Sequence, residues 1–372
     1  MKKTIILSIA FALIGFSSYA QWTLQPSGTS NELTSVYFTD VNTGYCVGGN
    51  GTKLKTANGG TNWVLQPNLS GIFYYSVYFT DINTGHITGS NGRIVKTTDG
   101  GHTWFNYNPV TTYALASVHF PTSNIGYAVG TTGTILKTTN GGSSMWTVLS
   151  SPTSVQLNSV FFIDNNTGYV VGTNGVILKT TDGGTIWTFL PSGTTTEWLQ
   201  SVFFTDANNG YVVGGAGTIL KTVNAGTTWS SIPPITNQPL NSVFFLNPNT
   251  GYAAGYNGTI LKTIDAGVTW TVQSSGTTND LFSVYFTDAN KGYVVGDHGT
   301  ILKTTTGGEV VPPTLSTTSP VSITGTSAIS GGDITSTGGA PIMARGVCYA
   351  LWEYPELTDS HTTDGSGSGS FV

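Results

Sequence analysis

Apolar and polar positions recur along the chain with a period of about 41 residues. Each period opens with Ser-Val-x-Phe, in which Val and Phe alternate with other residues as they do in a half-buried strand. The Ser of this motif is found at Ser35, Ser76, Ser117, Ser159, Ser201, Ser242 and Ser283. A period of ~40–45 residues containing several short strands predicts the blades of a β-propeller.

One period predicts four strands. In the fifth period these are 201–205, 211–213, 218–222 and a segment that begins at Trp229. Gly and Asn at the corners between them supply the positive backbone angles of tight hairpins. The sequence therefore predicts an all-β fold, a seven-bladed β-propeller over residues 21–308.

The ends of the repeat region predict how the ring closes. The seventh period stops after Gly308 and lacks the Trp that begins the fourth strand elsewhere. The segment Trp22-Thr-Leu-Gln-Pro matches the start of that strand in the first period, Trp63-Val-Leu-Gln-Pro. We therefore expect the N-terminal strand to complete the last blade, which leaves no open edge between the first and last blades.

The segments outside the repeats differ in composition. Residues 1–20 have two lysines, an apolar stretch and Ser-Tyr-Ala before Gln21, as a secretory signal peptide has, so we expect a secreted or cell-surface protein. Residues 309–320 are rich in Pro, Thr and Ser and predict an extended linker. Residues 321–372 resemble a fibronectin/immunoglobulin-like module and predict a partial β-sandwich, because a full sandwich needs ~100 residues. We expect this module to be truncated.

Charge and cysteine content narrow the function. Charged residues make up only 8% of the chain. Loss of Lys2 and Lys3 with the signal peptide would leave 11 basic and 18 acidic residues (13 minus 2, against 18), which argues against nucleic acid or anionic membrane as a partner. No later apolar run is long enough to span a bilayer. We also expect the protein to be a monomer. Cys46 and Cys348 are too few for a disulfide framework, and Cys46 fits a buried free thiol.

A turn motif, Ser/Thr-x-Asp/Asn-x-Gly-x-Thr-Trp, joins the third and fourth strands. Its acceptor position holds Asn58, Asp99, Asn140, Asp182, Asn224 and Asp265. Because Asn and Asp interchange there, the position needs a hydrogen-bond acceptor rather than a charge, which indicates a structural role. The motif resembles the Asp-box of bacterial neuraminidase (BNR) repeats. With Gly-Tyr in strand two and Ile-Leu-Lys-Thr in strand three, the repeats are most similar to those of the photosystem II stability/assembly factor family.

The resemblance raises the question of glycosidase activity. Sialidases hold the substrate carboxylate with three arginines, and the predicted propeller contains only Arg93, so that activity is excluded. Other Asp-box glycosidases need two carboxylates ~5–10 Å apart. Outside the repeated positions, the acidic residues left in the ring are Glu32, Glu197, Asp280, Asp297 and Glu309. No metal-site or phosphate-loop spacing occurs, and no cofactor is expected.

The candidate site lies in the loops before the inner strands and in the turns between strands two and three. Both sets should emerge on the face opposite the Asp-boxes, where we expect Glu32, Asp280 and Asp297 to converge through ring closure. The predicted binding residues are Glu32, Tyr74, Tyr75, Tyr113, Glu197, Trp198, Asp280, Phe282, Asp297 and His298. Aromatic side chains beside carboxylates suit protein or glycan recognition. We therefore expect a non-catalytic binding scaffold, with a polysaccharide hydrolase or an assembly factor for a membrane complex as alternatives.

Overall fold

The computed structural model describes the chain from Gln21 onward, except for short gaps. The described residues are 21–67, 71–107, 109–143, 146–193, 196–309, 314–322, 329–336, 345–349 and 360–371. The predicted signal peptide, 1–20, lies outside them. Residues Trp22–Gly307 form one compact unit, and the residues after it belong to another.

The compact unit consists of seven four-stranded antiparallel sheets, here called blades one to seven in chain order. The innermost strands are Leu33–Phe38, Tyr74–Phe79, Leu115–His119, Leu157–Phe162, Leu199–Phe204, Leu240–Phe245 and Leu281–Phe286. The second strands are Gly44–Gly48, Gly85–Gly89, Gly126–Gly130, Gly168–Gly172, Gly210–Gly214, Gly251–Gly255 and Gly292–Gly296. The third strands are Lys53–Thr56, Ile94–Thr97, Ile135–Thr138, Ile177–Thr180, Ile219–Thr222, Ile260–Thr263 and Ile301–Thr304.

The outer strands complete the blades. They are Val64–Leu65, Phe105–Tyr107, Thr147–Val148, Thr188–Leu190, Ser230–Ile232, Thr271–Gln273 and, for blade seven, Thr23–Gln25. Five turns between second and third strands form short 3₁₀ segments, Gly49–Gly51, Ser90–Gly92, Thr131–Gly133, Gly215–Gly217 and Asp297–Gly299. The predicted all-β seven-bladed propeller is confirmed.

The N-terminal strand closes the ring as predicted. Thr23–Gln25 pairs antiparallel with the third strand of blade seven, with Thr23 opposite Lys303 and Gln25 opposite Ile301. Trp22, only 1% exposed, packs edge-on against Phe286 with ring centroids 5.7 Å apart. The closing strand therefore contributes both backbone pairing and a large buried side chain.

The core is divided among the junctions between neighbouring blades. At each junction the last Phe of an inner strand packs beneath an aromatic ring of the preceding blade, as Phe245 does with Tyr211 at a centroid distance of 3.9 Å. Gly251 lies directly on the Phe245 ring, where an added Cβ would come within 2.6 Å of it. The Gly-Tyr motif is thus a packing requirement, since only glycine lets the strand approach the ring.

A circle of hydrogen bonds joins all seven inner strands. The hydroxyl of the Ser in each Ser-Val pair accepts a hydrogen bond from the backbone N–H of the Val in the corresponding pair of the next blade. The circle closes where the Val36 N–H donates to Ser283 Oγ at 3.3 Å. These bonds fix the register between blades, because each one satisfies an N–H that the bulged inner strand leaves unpaired.

Seven rings line the centre of the propeller, and they form what we call the hub ring. Its members are Tyr37, Tyr78, His119, Phe161, Phe203, Phe244 and Tyr285. Neighbouring centroids are 5.0 to 5.5 Å apart all the way round. The tyrosines also donate to the next blade, as Tyr37 does to the Phe79 carbonyl at 2.9 Å. The inner strands therefore surround the central channel with a continuous circle of rings.

The Asp-box side chains cap their own turns. Asp99 Oδ1 accepts the Thr103 N–H at 2.9 Å, and Asn58 Oδ1 accepts the Asn62 N–H at 2.9 Å. The same bond recurs at Asp182, Asn224 and Asp265, and Asn140 accepts the Ser143 N–H. Hydrogen bonds from Thr103 lower the pKa of Asp99 to about 2. The contacts are those of a structural acceptor.

The repeated lysines and tyrosines bind the Asp-box of the next blade. Lys55 Nζ donates to the Gly100 carbonyl at 2.7 Å, and Tyr45 Oη donates to the same carbonyl at 2.8 Å. At blade seven, Lys303 and Tyr293 reach the Gly59 carbonyl of blade one in the same way. These lysines therefore bridge neighbouring blades.

The C-terminal residues form a separate sheet. Thr314–Val321, Ile329–Ser336 and Gly369–Phe371 make three antiparallel strands, and Cys348–Tyr349 pairs with Ser360–His361. Ile334, Val347 and Phe371 are its buried residues. The predicted linker over 309–320 is wrong from Thr314 onward. Pro320 is tolerated because the pairing shifts register between Thr318 and Val321, where no ladder N–H is needed.

Candidate functional site

We use the term loop face for the side of the propeller opposite the Asp-boxes. It consists of the loops before the inner strands and the turns between strands two and three. In every blade the first N–H of that turn donates to the carbonyl just before the inner strand, as Gly49 does to Glu32 at 3.0 Å and Asp297 to Asp280 at 2.8 Å. This backbone bond holds the loop, and the residue that supplies its carbonyl keeps a side chain at least partly exposed. Those residues are Glu32, Phe73, Ala114, Gln156, Trp198, Pro239 and Asp280.

Four side chains from blades one, two and seven lie together on the loop face, and we call them the blade-one cluster: Glu32, Phe73, Tyr75 and Asp297. The rings of Phe73 and Tyr75 are 4.9 Å apart. An added Cβ on Gly49 would lie 3.3 Å from Glu32 Cγ and 3.4 Å from Phe73, so the glycine leaves room for both side chains. The cluster places a carboxylate against an aromatic pair.

Electrostatics link the members of the blade-one cluster. Partial burial and the nearby Asp297 carboxylate raise the pKa of Glu32. Burial and the Glu32 charge raise the pKa of Tyr75. A carboxylate whose pKa is raised by a second carboxylate favours an added positive charge nearby. Glu32 and Asp297 therefore interact electrostatically across the ring closure.

Asp280, the third carboxylate that the sequence predicts in this group, caps a turn instead. Asp280 Oδ1 accepts the Asn257 N–H at 2.9 Å and so caps the turn of blade six. Asp297 is also engaged locally, because its carboxylate accepts the His298 N–H at 2.8 Å and lies 3.1 Å from His298 Nδ1. The expected convergence of Glu32, Asp280 and Asp297 is thus reduced to an interaction between Glu32 and Asp297.

The other predicted residues spread around the loop face. Tyr113 of blade three is 49% exposed and Trp198 of blade five is 42% exposed. Glu197 is partly exposed, and its carbonyl accepts the Gly175 N–H at 2.8 Å. Phe282 is half-buried at the position that Tyr75 takes in blade two. These residues belong to the same surface but to different sectors of it.

Tyr74 is not a surface residue, and its assignment to the binding face is wrong. It is fully buried, in the position that Leu33 and Leu115 occupy in their blades. Simple alternation from Ser76 places Tyr74 on the channel side of the strand, but a register shift between Tyr74 and Ser76 turns it into the core. Comparison of the residue two positions before each repeated Ser, which is Leu in all six other blades, would have found this position.

A cleft beside blade six was missed by the sequence analysis. It has a volume of about 660 Å³ and is lined by Asn257, Gly258 and residues 273–278. Gln273 Oε1 is buried there without a hydrogen-bond partner among the described residues. Gln25 and Gln66 occupy the equivalent position in their own outer strands, so the residue type at this position did not mark the cleft in the sequence. Across the described residues, no group of three His, Cys, Asp or Glu side chains could hold a metal ion.

No helix among the described residues is long and apolar enough to cross a membrane. Solved structures similar to this chain share its fold. YCF48 bound to a D1 peptide is 22% identical, with a TM-score of 0.67, covering 78% of this chain and 96% of its own. YCF48 from Cyanidioschyzon merolae is 22% identical, with a TM-score of 0.64 and coverage of 76% and 98%. The WD40 β-propeller domain of Doa1 is 13% identical, with a TM-score of 0.61 and coverage of 77% and 97%.

No curated protein sequence matches the chain. The family described as photosynthesis system II assembly factor YCF48 matches residues 65–150, 142–239 and 235–305, which together span most of the propeller. The match agrees with the Asp-box repeats, the four-stranded blades and the N-terminal closure described above. The chain therefore belongs to the photosynthesis system II assembly factor YCF48 family.

Proposed function

We propose that this propeller is a non-catalytic scaffold that binds a protein segment across its loop face. The observation that supports it is the concentration of partly exposed aromatic side chains and carboxylates on that face. Tyr113, Trp198 and Tyr256 are the exposed large aromatics there, and the blade-one cluster adds Phe73 and Tyr75. Tyr and Trp are enriched among the residues that dominate binding energy in protein interfaces.

The loop face favours an extended ligand. Its exposed aromatic side chains lie in different blades, with Tyr113 in blade three, Trp198 in blade five and Tyr256 in blade six. A ligand that contacts all of them must therefore lie across the face. A peptide can do this, because an extended chain presents its side chains at regular intervals.

Family membership agrees with a protein ligand. The solved YCF48 structure holds a D1 peptide, so a propeller of this fold is able to bind a peptide. We propose the same class of ligand here, with an assembly-factor role as one form that such binding takes. We also propose that the chain is exported by residues 1–20 and acts outside the cytoplasm as a monomer. Recognition of a glycan on the same face remains a second form of the binding proposal.

A polysaccharide hydrolase is the second candidate, and one observation favours it. Glu32 has a raised pKa with Asp297 nearby, which is how a general acid beside a second carboxylate is arranged in glycosidases. Against it, Asp280 caps the turn of blade six and Asp297 contacts His298, so neither is a free nucleophile or base. We therefore place binding ahead of hydrolysis.

A random-peptide display selection on the 21–372 protein tests the binding proposal. We expect selected peptides to lose at least about tenfold in affinity when Tyr113 and Trp198 are both changed to Ala, since aromatic anchors contribute ~2 kcal/mol or more. The matched control changes Phe105 and Phe189 to Ala, which removes two equally exposed rings from outer strands. Equal loss in both double variants would contradict a loop-face site.

The same preparation separates binding from hydrolysis. Reducing-sugar release from a panel of polysaccharides, abolished by Glu32→Gln, would replace the scaffold proposal with a hydrolase. A glycan array bound without turnover would keep the scaffold and change its ligand class.

A further inference from the structure

The seven blades provide an internal reference for each other, and the junction between blades one and two departs from it. Lys53 begins the third strand of blade one, at a position that faces blade two. The other six blades hold isoleucine there: Ile94, Ile135, Ile177, Ile219, Ile260 and Ile301. Lys53 is only 5% exposed. A buried lysine in place of a core isoleucine costs stability unless its charge is compensated.

At two further positions of this junction a polar or charged side chain likewise replaces the residue that the other blades carry. Tyr74 replaces the leucine of the other six blades, and its fully buried ring faces blade one. Arg93 replaces a residue that is Thr in five blades and Val176 in the remaining one. Arg93 is the single arginine between residues 21 and 308. All three departures introduce hydrogen-bond donors, and two of them introduce positive charge.

The three side chains converge on one another. Lys53 Nζ lies 5.5 Å from the centroid of the Tyr74 ring. Burial raises the pKa of the Tyr74 hydroxyl, and the Arg93 charge acts on the same hydroxyl in the opposite direction. Burial lowers the pKa of Lys53. A cation over the ring and a second cation near the hydroxyl thus approach Tyr74 from both blades.

These donors differ from the repeated lysines in having no acceptor. Lys55, two residues further along the same strand, donates to the Gly100 carbonyl at 2.7 Å. The Tyr74 hydroxyl is buried without a hydrogen-bond partner in the described part of the chain. Within the same residues Lys53 Nζ lies over the Tyr74 ring, and neither Lys53 nor Arg93 forms a side-chain hydrogen bond or ion pair. A buried hydroxyl without an acceptor, such as that of Tyr74, is unfavourable because it has lost its hydrogen bond to water.

We propose that Lys53, Tyr74 and Arg93 form an oxyanion site at the junction of blades one and two, which accepts a sulfate, phosphate or carboxylate group. An oxyanion offers several acceptors and negative charge, which would satisfy all three side chains together. A planar guanidinium suits two oxygens of such a group, and an ammonium suits a third. Arg93 is only partly buried, so it opens the site to solvent. The inference does not depend on the proposed function, because none of these three side chains belongs to the blade-one cluster.

Selenate is a direct probe, because its selenium can be located by anomalous diffraction. Crystals of the 21–372 protein soaked in selenate should show an anomalous peak within hydrogen-bond distance of the Lys53, Tyr74 and Arg93 side chains. Calorimetric titrations at constant ionic strength with sulfate, phosphate and acetate then give the ligand class. Tighter sulfate or phosphate binding indicates an inorganic or esterified anion, and tighter acetate binding indicates a carboxylate of a partner.

Variants that restore the repeat's own residues sharpen the test. Lys53→Ile and Arg93→Thr should each weaken anion binding at least about tenfold, which corresponds to one charge-assisted hydrogen bond. Both should fold, since the other blades carry these residues at the same positions. Lys291→Thr removes one positive charge from an Asp-box-face turn and should leave binding unchanged. A selenate peak elsewhere only, or equal loss in all three variants, would overturn the site.

Discussion

The junction of blades two and three and the junction of blades five and six have the same ring stacking but different hydrogen bonding. At the latter, Tyr211 stacks on Phe245 and donates to the Ala266 carbonyl at 2.6 Å. At the former, His86 stacks on Phe120 with a centroid distance of 4.1 Å, yet neither ring nitrogen has a partner among the described residues. The stacking therefore follows from the glycine that lets the second strand pack on the Phe ring. The hydrogen bond depends on the tyrosine hydroxyl, which His86 lacks.

The second strand of blade two has another polar replacement on the same side. Thr88 is fully buried where Val213 lies in blade five, and its hydroxyl also lacks a partner in the described residues. The inner-strand circle is intact at this blade, because Val118 still donates to Ser76 Oγ at 3.3 Å. The inner strands thus keep their register even at a junction that contains buried polar side chains without hydrogen-bond partners. A propeller distributes its stability over many similar junctions, so a single polar junction is tolerated.

The largest effect should come from removing a large ring from a junction between blades. Trp22→Ala, at the junction of blades six and seven, should lower the free energy of unfolding by about 3–5 kcal/mol, because Trp22 is almost fully buried and belongs to the strand that closes the ring. Trp104→Ala, at the junction of blades one and two, should cost less, since Trp104 is only partly buried. Urea unfolding followed by circular dichroism measures both. A larger loss at Trp104 would show that burial does not decide how much a junction contributes.

The second-largest effect should be a loss of stability in acid that arises at the junction of blades two and three, where His86 lies, and not at the junction of blades five and six. Burial lowers the pKa of His86 to about 3, with the Lys96 charge adding to the effect. The unfolded chain binds a proton near pH 6.5 and the folded chain does not, so stability should fall as pH drops from about 6.5 toward 3. His86→Tyr should reduce this slope by up to about 1.4 kcal/mol per pH unit.

The control for this acid effect changes His298, an exposed histidine, to Gln. Because burial is the cause of the effect at His86, His86→Tyr should change the slope more than this control does. Unfolding measured between pH 7 and 4 gives the comparison. Equal slopes for the wild type and His86→Tyr would show that His86 is not kept neutral by burial.

At neutral pH the same substitution should stabilise the protein. His86→Tyr restores a hydroxyl that can donate to the Gly141 carbonyl, which Lys96 already contacts at 2.7 Å. The expected gain is about 1 kcal/mol, the net value of one buried hydrogen bond. The reverse change at the next junction, Tyr127→His, should lose a similar amount because Tyr127 donates to the Gly183 carbonyl at 2.8 Å. Thermal unfolding of the pair measures both directions, and a loss in both would mean that ring size, not the hydroxyl, decides.

The smallest effect should be found at the Asp-boxes, which blade two shares with the rest. Asp99→Asn should change stability at pH 7 by less than about 0.5 kcal/mol, the usual range for a surface substitution without a lost contact. The structure contains the precedent, since Asn224 caps the same turn in blade five and its amide donates to Thr228 Oγ1 at 2.9 Å. Asp99→Ala removes the acceptor and should cost about 1 kcal/mol by the same unfolding assay.

The repeat made most of the propeller predictable. Gly, Tyr, Lys and Trp return at fixed positions because each fills the same contact, such as Tyr211 on Phe245, in every blade. The bulge that buries Tyr74 was not predictable from alternation, and the Asn257 N–H that engages Asp280 lies in a different loop of the chain. Thr314 to Pro320 has a linker's composition but pairs as a strand, because pairing depends on a partner that composition does not reveal.

The hub ring has a consequence for how the seven blades respond to a local change. Tyr37, His119 and Phe203 belong to one continuous circle of neighbouring rings around the central channel. A displaced ring presses on the rings at both of its sides, because packed side chains transmit strain. A distortion that begins at one blade is therefore shared around the axis in both directions.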